Sequence, residues 1–235
     1  MSLQLSKFKV ATLVLTSLVV PATAAHASTI TFSDSVATQR TDFTKSVSLS
    51  QFDPSLGTLN SILLELTGSV TGSIKIESED AGPAIVTGAL ASEISVENVD
   101  KSPLLAILPT VTKTQKLSGF DGVDDFGGTS GVTFSGLSDT QTESKTLNTS
   151  NAFTPFIGTG KITLPVLAVA KSKTTGSGNL LALINTSAGA NLKVVYDYTS
   201  NQKTPQKVPE SPISASVLAG TALLMAMKKK PWKQA

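Results

Sequence analysis

Three aspartates lie close together in the segment 120–128, the part of the sequence that comes nearest to a chemical site. Asp121, Asp124 and Asp125 are interspersed there with three glycines. Hard cations such as Ca²⁺ bind carboxylate and carbonyl oxygens, which a flexible loop of this composition supplies. The spacing lacks the order and the closing acidic ligand of an EF-hand. The sequence therefore favours a solvated loop, with a calcium site as the alternative, and we predict no cofactor.

The side chains that most enzymes use for catalysis are missing from the central part of the chain. The sequence has no cysteine, and its single histidine, His26, and single tryptophan, Trp232, lie near the two ends. Without thiol or imidazole, residues 28–207 cannot form a Cys-His or Ser-His-Asp nucleophilic site, or a zinc site with the usual ligands. We predict that the protein is not an enzyme.

A hydrolase that works with carboxylates alone stays open as an alternative. Such a site needs two acidic side chains facing each other across a cleft, about 5 to 9.5 Å apart. Residues 28–207 contain 13 basic and 16 acidic residues, which gives a net charge of −3. This balance lacks the basic footprint of a nucleic-acid-binding domain, so we expect no nucleic-acid partner.

The first 27 residues have the pattern of a secretory signal peptide. Two lysines precede an apolar run at 10–20, and small residues follow it up to Ala25 and Ala27. The peptidase pocket admits only small side chains at these two positions, so cleavage is expected before Ser28. An uncleaved membrane anchor is the alternative, but the apolar run falls short of the ~20 residues that span a bilayer. The sequence thus predicts export through the secretory pathway, with signal peptidase as a partner.

The other end of the chain has the pattern of a membrane segment. An apolar stretch at about 212–227 is followed directly by a lysine-rich end at 228–233. A buried core helix is the alternative, but lysines next to an apolar run at a chain end form a stop-transfer arrangement and stay cytoplasmic. The polar, proline-containing segment 201–207 has the composition of a linker.

Between these ends, residues 28–200 alternate in the way that β-strands do. Along 192–198, apolar and aromatic side chains share one face while charged ones occupy the other. The stretch 59–66 is almost continuously apolar, which predicts a strand buried on both faces. We predict an all-β fold: a single antiparallel β-sandwich, jelly-roll-like, of eight to ten strands, flanked by an N-terminal signal helix and a C-terminal transmembrane helix.

The C-terminal segment 208–235 resembles a known sorting signal. Val208, Pro209 and Glu210, followed by an apolar run and basic residues, resemble the PEP-CTERM signal of exopolysaccharide-producing bacteria. Ser211 stands where that family usually has its second proline. The resemblance implies transient insertion into the inner membrane, recognition by an exosortase, which is a transpeptidase-like membrane enzyme, and removal or replacement of the helix.

The central region is similar to the choice-of-anchor E family of surface domains. The similar stretches are residues 29–35, 52–59, 124–132 and 194–198. The resemblance covers most of residues 28–200. It implies a surface location and a β architecture, and it brings no activity with it.

These features lead to two functional hypotheses. The first is an exported, non-enzymatic bacterial cell-surface or extracellular-matrix protein that an exosortase-type system sorts to the cell envelope. The second is an extracellular exopolysaccharide-binding module, with or without calcium. The second requires an exposed aromatic platform, for which Tyr196 and Tyr198 are the candidates, or an ordered cluster of Asp121, Asp124 and Asp125.

Overall fold

Ten strands make up most of the domain that the computed structural model describes, residues 27–176 and 178–201. In chain order they are β1 (Ala27–Arg40), β2 (Phe43–Ser50), β3 (Gly57–Ser78), β4 (Ala84–Glu97), β5 (Pro103–Ile107), β6 (Thr110–Leu117), β7 (Gly131–Leu147), β8 (Lys161–Ala170), β9 (Lys173–Thr175) and β10 (Leu180–Ser200). One helical turn, α1 (Ser150–Phe153), precedes β8, and short 3-10 turns occur at Pro54–Leu56 and Thr154–Phe156. The number of strands lies within the range that the alternation predicted.

The strands form two facing sheets. The first sheet has the order β1-β10-β3-β7, and the second has the order β2-β8-β4-β5, with β6 and β9 also paired to β4. All pairings between these strands are antiparallel. From β1 to β4 the chain crosses to the opposite sheet with each new strand. The prediction of an all-β, antiparallel sandwich is therefore confirmed.

The ladder between β3 and β10 runs through the middle of the first sheet. It extends from Leu180 opposite Ser78 to Ser200 opposite Gly57, with one register shift near Asp197. Because successive side chains of a strand point to opposite faces, this register decides which residues enter the core. The two strands thereby line the inner face of the sheet along its whole length.

One strand prediction is wrong in its detail. The stretch 59–66 lies in β3, where Ile62, Leu64 and Leu66 are fully buried. Between them, Leu63 and Glu65 are only half-buried on the outer face, and Glu65 pairs with Lys193 at 2.6 Å. The strand is thus buried on one face, because the sandwich has two layers and no described residue buries the outer side of this stretch fully.

In the second sheet, β4 changes its neighbouring strands halfway along its length. Its first half pairs with β6 and β9, and its second half pairs with β5 and β8. At the junction, the hydroxyl of Ser172 accepts the N–H of Ala91 (3.0 Å) and donates to the carbonyl of Ala91 (3.1 Å). The same hydroxyl lies 2.9 Å from Oγ1 of Thr186 in β10, so it joins the two sheets where the neighbours of β4 change.

Two hydrophobic clusters fill the space between the sheets. The larger one contains the buried side chains of β2, of β8 and of β10 from Ala188 to Tyr196, together with those of β3 around Leu64. The smaller one surrounds Ile74 and consists of Val70, Ile74, Ile76, Ala84, Val86, Leu90, Leu117 and Leu137. Both clusters draw on β3 and β4, which pass from one to the other.

On each open side of the sandwich, an aspartate carboxylate joins the two sheets by a hydrogen bond. Asp34 on β1 pairs with the buried Leu192, so its side chain points inward, and its carboxylate accepts the N–H of Ser48 in the second sheet at 2.7 Å. On the opposite side, Asp139 of β7 accepts the N–H of Thr110 at 2.7 Å. The backbone N–H of Ser48 is the main cause that holds the pKa of Asp34 below its usual value. Inward-pointing charges of this kind also protect edge strands from pairing with other chains.

The predicted flanking segments lie outside the described residues. This applies to the signal helix up to residue 26, to the linker from residue 202 onward, and to the transmembrane and basic segments at 212–227 and 228–233. Among residues 27–176 and 178–201, no helix is long and apolar enough to cross a membrane. The compact unit that contains the strands ends at Asn201.

Gly72 offers a test of the central ladder. A Cβ at this position would overlap the backbone carbonyl oxygen of Asn185 in β10. We expect Gly72→Ala to lower the free energy of unfolding by about 1–3 kcal/mol, because β10 must shift to make room. At Gly82 a Cβ would meet nothing within 4 Å, so Gly82→Ala should stay within about 0.5 kcal/mol of the wild type. Urea denaturation measures both, and equal midpoints would show that β10 is not held where the register places it.

Candidate functional site

The predicted site lies in the connection between β6 and β7, residues 118–130, which we call the aspartate loop. This loop carries the chain from the second sheet to the first. Its ends are tied together, because the N–H of Ser118 donates to the carbonyl of Thr129 at 2.9 Å. The N–H of Phe120 donates to the carbonyl of Asp80 at 2.7 Å, which fixes the loop to the β3–β4 connection.

Asp121 holds the loop in shape from within. Its two carboxylate oxygens accept the N–H groups of Val123 (3.2 Å) and Thr129 (3.1 Å). The backbone N–H groups of Thr129 and then Val123 are the main causes that lower the pKa of Asp121. The carboxylate also occupies the space in which a Cβ at Gly128 would lie, and Gly128 has a φ of +59°. Only glycine fits both the space and the backbone conformation there.

The other two aspartates do not converge on Asp121. Asp125 accepts the N–H of Gly127 at 2.8 Å, and the side chain of Asp124 is exposed. Within the described part of the chain, no three His, Cys, Asp or Glu side chains are grouped so that they could hold a metal ion. The carboxylates of Asp121 and Asp125 thus satisfy backbone donors of their own loop, as aspartates do in turns.

The structure adds one residue that the sequence did not single out, Glu77 at the end of β3. Its side chain is fully buried beneath the aspartate loop, and Oε2 accepts the N–H of Phe126 at 2.6 Å. Oε1 has no hydrogen-bond partner among the described residues. In the sequence, Glu77 occupies the outward register of an alternating strand, where a charged residue normally meets solvent. The only local sign of its burial is Gly131 opposite it, where a Cβ would overlap Oε2.

Phe126 completes the contact between the loop and β3. It has a positive φ of 58°, which turns its N–H toward Glu77. Its ring faces Lys75, whose Nζ lies 5.8 Å from the ring centroid. The hydroxyl of Thr133 donates to its carbonyl at 3.2 Å. The loop therefore acts as an ordered cover over a buried carboxylate.

The tyrosines proposed as an aromatic platform are not available on the surface. Tyr196 is fully buried and donates its hydroxyl to the carbonyl of Ser50 at 2.9 Å. Burial raises its pKa. Tyr198 is half-buried, with its ring 5.2 Å from that of Phe52. The alternation predicted correctly that both tyrosines share a face, and that face is the core.

Three open depressions on the described surface have no aspartate or glutamate in their lining. The largest of these three has a volume of about 480 Å³. It is lined by Gln51, Val99, Thr154, Pro155, Lys161, Ile162 and Thr163. These depressions therefore do not present the carboxylate pair that a carboxylate-only hydrolase requires.

The predicted processing residues lie almost entirely outside the described residues. This is the case for Ala25 of the cleavage site and for Val208, Pro209 and Glu210 of the sorting motif. Ala27 is the exception, since it is the first residue of β1 and lies opposite Thr199.

Replacement of Glu77 tests whether its hydrogen bond to the aspartate loop stabilises the domain. We expect Glu77→Ala to lower the free energy of unfolding by about 1–3 kcal/mol, because the part-buried N–H of Phe126 loses its acceptor. Glu77→Gln keeps an oxygen acceptor and should retain more of the stability. Glu79→Ala, two residues along and exposed, is the matched control and should be nearly neutral. Thermal unfolding compares the four proteins, and a Glu77→Ala variant as stable as the control would contradict this role.

Comparison with known proteins identifies no family. No family model matches the sequence, and no curated protein matches it. Among solved structures, the chain is similar to the structure of infectious bursal disease virus Gt strain, with 11% identity over 86% of this chain and 49% of that one, at a TM-score of 0.19. The VP2 subviral particle of the same virus gives 11% identity, 85% and 49% coverage, and a TM-score of 0.16. The chain thus spans about half the length of these structures, and scores this low carry no argument about fold or function.

Proposed function

We propose that this chain is an exported, non-enzymatic protein of the bacterial cell surface or extracellular matrix, which an exosortase-type system sorts to the envelope. The observation that carries the proposal is the arrangement of the sequence. A signal-peptide pattern ending at Ala25 and Ala27 and a sorting-signal pattern at Val208, Pro209 and Glu210 enclose a domain without cysteine or histidine. On this proposal, signal peptidase and an exosortase are its processing partners.

The architecture of the domain is compatible with a display role. A chain without cysteine has no disulfide to stabilise it outside the cell, so it depends on burial between its sheets. The two clusters provide that burial. We also infer that the sandwich is a jelly roll, because consecutive strands cross between two sheets ordered β1-β10-β3-β7 and β2-β8-β4-β5. Membership of the choice-of-anchor E family remains part of the proposal.

The alternative, an exopolysaccharide-binding module, receives less support. Its aromatic platform would consist of Tyr196 or Tyr198, but the first is fully buried and the second packs on Phe52. Its cation site would consist of the three loop aspartates, two of which accept N–H groups of their own loop. We therefore favour display over carbohydrate binding.

The two ends of the mature chain, once identified, test the proposal. We expect mass spectrometry of the envelope form to find a chain that begins at Ser28 and ends near residues 209–211, because the two motifs would be read by their peptidases. Glu210→Ala should leave uncut precursor in the inner membrane. Glu143→Ala, which changes an exposed glutamate of β7, is the matched control and should be processed normally.

Two observations would contradict the proposal. Detection of Trp232 in the surface form would show that the tail is retained as a simple membrane anchor. A surface form that still carries residues 10–20 would show that the N-terminal segment is not a cleaved signal peptide.

A further inference from the structure

The first half of β10 has a neighbour on one side only. β3 pairs with β10 from Leu180 onward, whereas the pairing with β1 ends where Arg40 lies opposite Ser187. No other described strand pairs with β10 on the β1 side. The first sheet therefore has an edge at residues 180–186, which we call the open edge.

The backbone of the open edge points hydrogen-bonding groups away from the sheet. The carbonyl of Thr186 accepts the N–H of Thr41 at 3.1 Å, so the backbone groups of Thr186 face the β1 side. Backbone groups of alternate residues in a strand face the same side. Leu180, Ala182 and Ile184 thus direct their N–H and C=O groups outward, in the arrangement that an added antiparallel strand requires.

The open edge lacks the features that usually protect an edge strand. Its sequence, LLALINT, contains no charge, no proline and no glycine. Leu181 and Leu183 are 40% and 48% exposed on the outer face. The opposite edge of the same sheet is β7, which carries Asp139, Glu143 and Lys145. A long, apolar, uncharged edge is a template for strand addition, so we expect a further strand to pair with this edge.

A second copy of this chain fits the open edge by its composition. The segment 180–186 is uncharged, so it meets no like charge when it pairs with itself, whereas like charges directly opposite each other destabilise a strand pair. A second copy also presents the same outward-facing backbone groups and the same exposed leucines, Leu181 and Leu183.

We propose that two copies of this chain form a symmetric dimer by antiparallel pairing of their open edges. In the register that we propose, outward-facing residues lie opposite each other: Ala182 opposite Ala182 of the second copy, and Leu180 opposite Ile184. In this register Leu181 faces Leu183 across the two-fold axis, so the four exposed leucines pack together on the outer face. The strands β7, β3 and β10 of the two copies then make one continuous six-stranded sheet.

A proline at position 182 tests this pairing without touching the ladder to β3. The N–H of Ala182 points away from β3, and proline is tolerated in edge strands where the N–H faces solvent. Sedimentation velocity of the full chain should show a concentration-dependent dimer. Ala182→Pro should weaken dimerisation by about tenfold to a hundredfold, because the pair at the two-fold axis cannot form. Ala182→Thr keeps the N–H and is the matched control that should still dimerise.

A cysteine at the same position gives an independent readout. The wild type has no cysteine, so Ala182→Cys introduces a single thiol. Paired residues at the axis lie about 5.5 Å apart at Cα, within the range of a disulfide, so mild oxidation should produce a covalent dimer. Thr140→Cys on the exposed part of β7 should not. A wild type that stays monomeric, a dimer that Ala182→Pro leaves intact, or equal cross-linking at positions 182 and 140 would each overturn the proposal.

Discussion

The register of β3 against β10 is the constraint on which the rest of this domain depends. The two strands pair along almost their full length, and the same pairing lines both hydrophobic clusters. Since the chain has no cysteine, no covalent bond supports this arrangement. A shift by one residue would turn the buried leucines and isoleucines of β3 to solvent. Alternation along two long strands thus determines the position of the core.

The edge strands of such a sandwich could pair with other chains, and they are protected against this in different ways. On β1 and β7, Asp34 and Asp139 point inward and accept N–H groups from the facing sheet. The edge strand β9 is only three residues long and begins with Lys173. The edge at residues 180–186 has none of these protections. This contrast is the physical reason for assigning a partner to that edge.

The sequence predicted those features that depend on local alternation. The two-faced pattern at 192–198 and the antiparallel sandwich follow from the period of two, and both agree with the structure. Features that depend on distant contacts were not predictable. Glu77 has the register of a solvated residue and is buried because the aspartate loop, some fifty residues later in the chain, folds over it. Likewise, the predicted burial of both faces of 59–66 was wrong, because the outer face, which carries Leu63 and Glu65, is only half-buried.

The central claim is that the β3–β10 ladder makes the two clusters a single cooperative unit. Native-state hydrogen exchange tests it most directly, because exchange of core amides reports the free energy of the opening that exposes them. The account predicts that amides of β3 near Leu64 and near Ile74 exchange with the same free energy, equal to that of global unfolding. A markedly lower value near Ile74 would contradict the claim, because the smaller cluster would then open while the larger one stays folded.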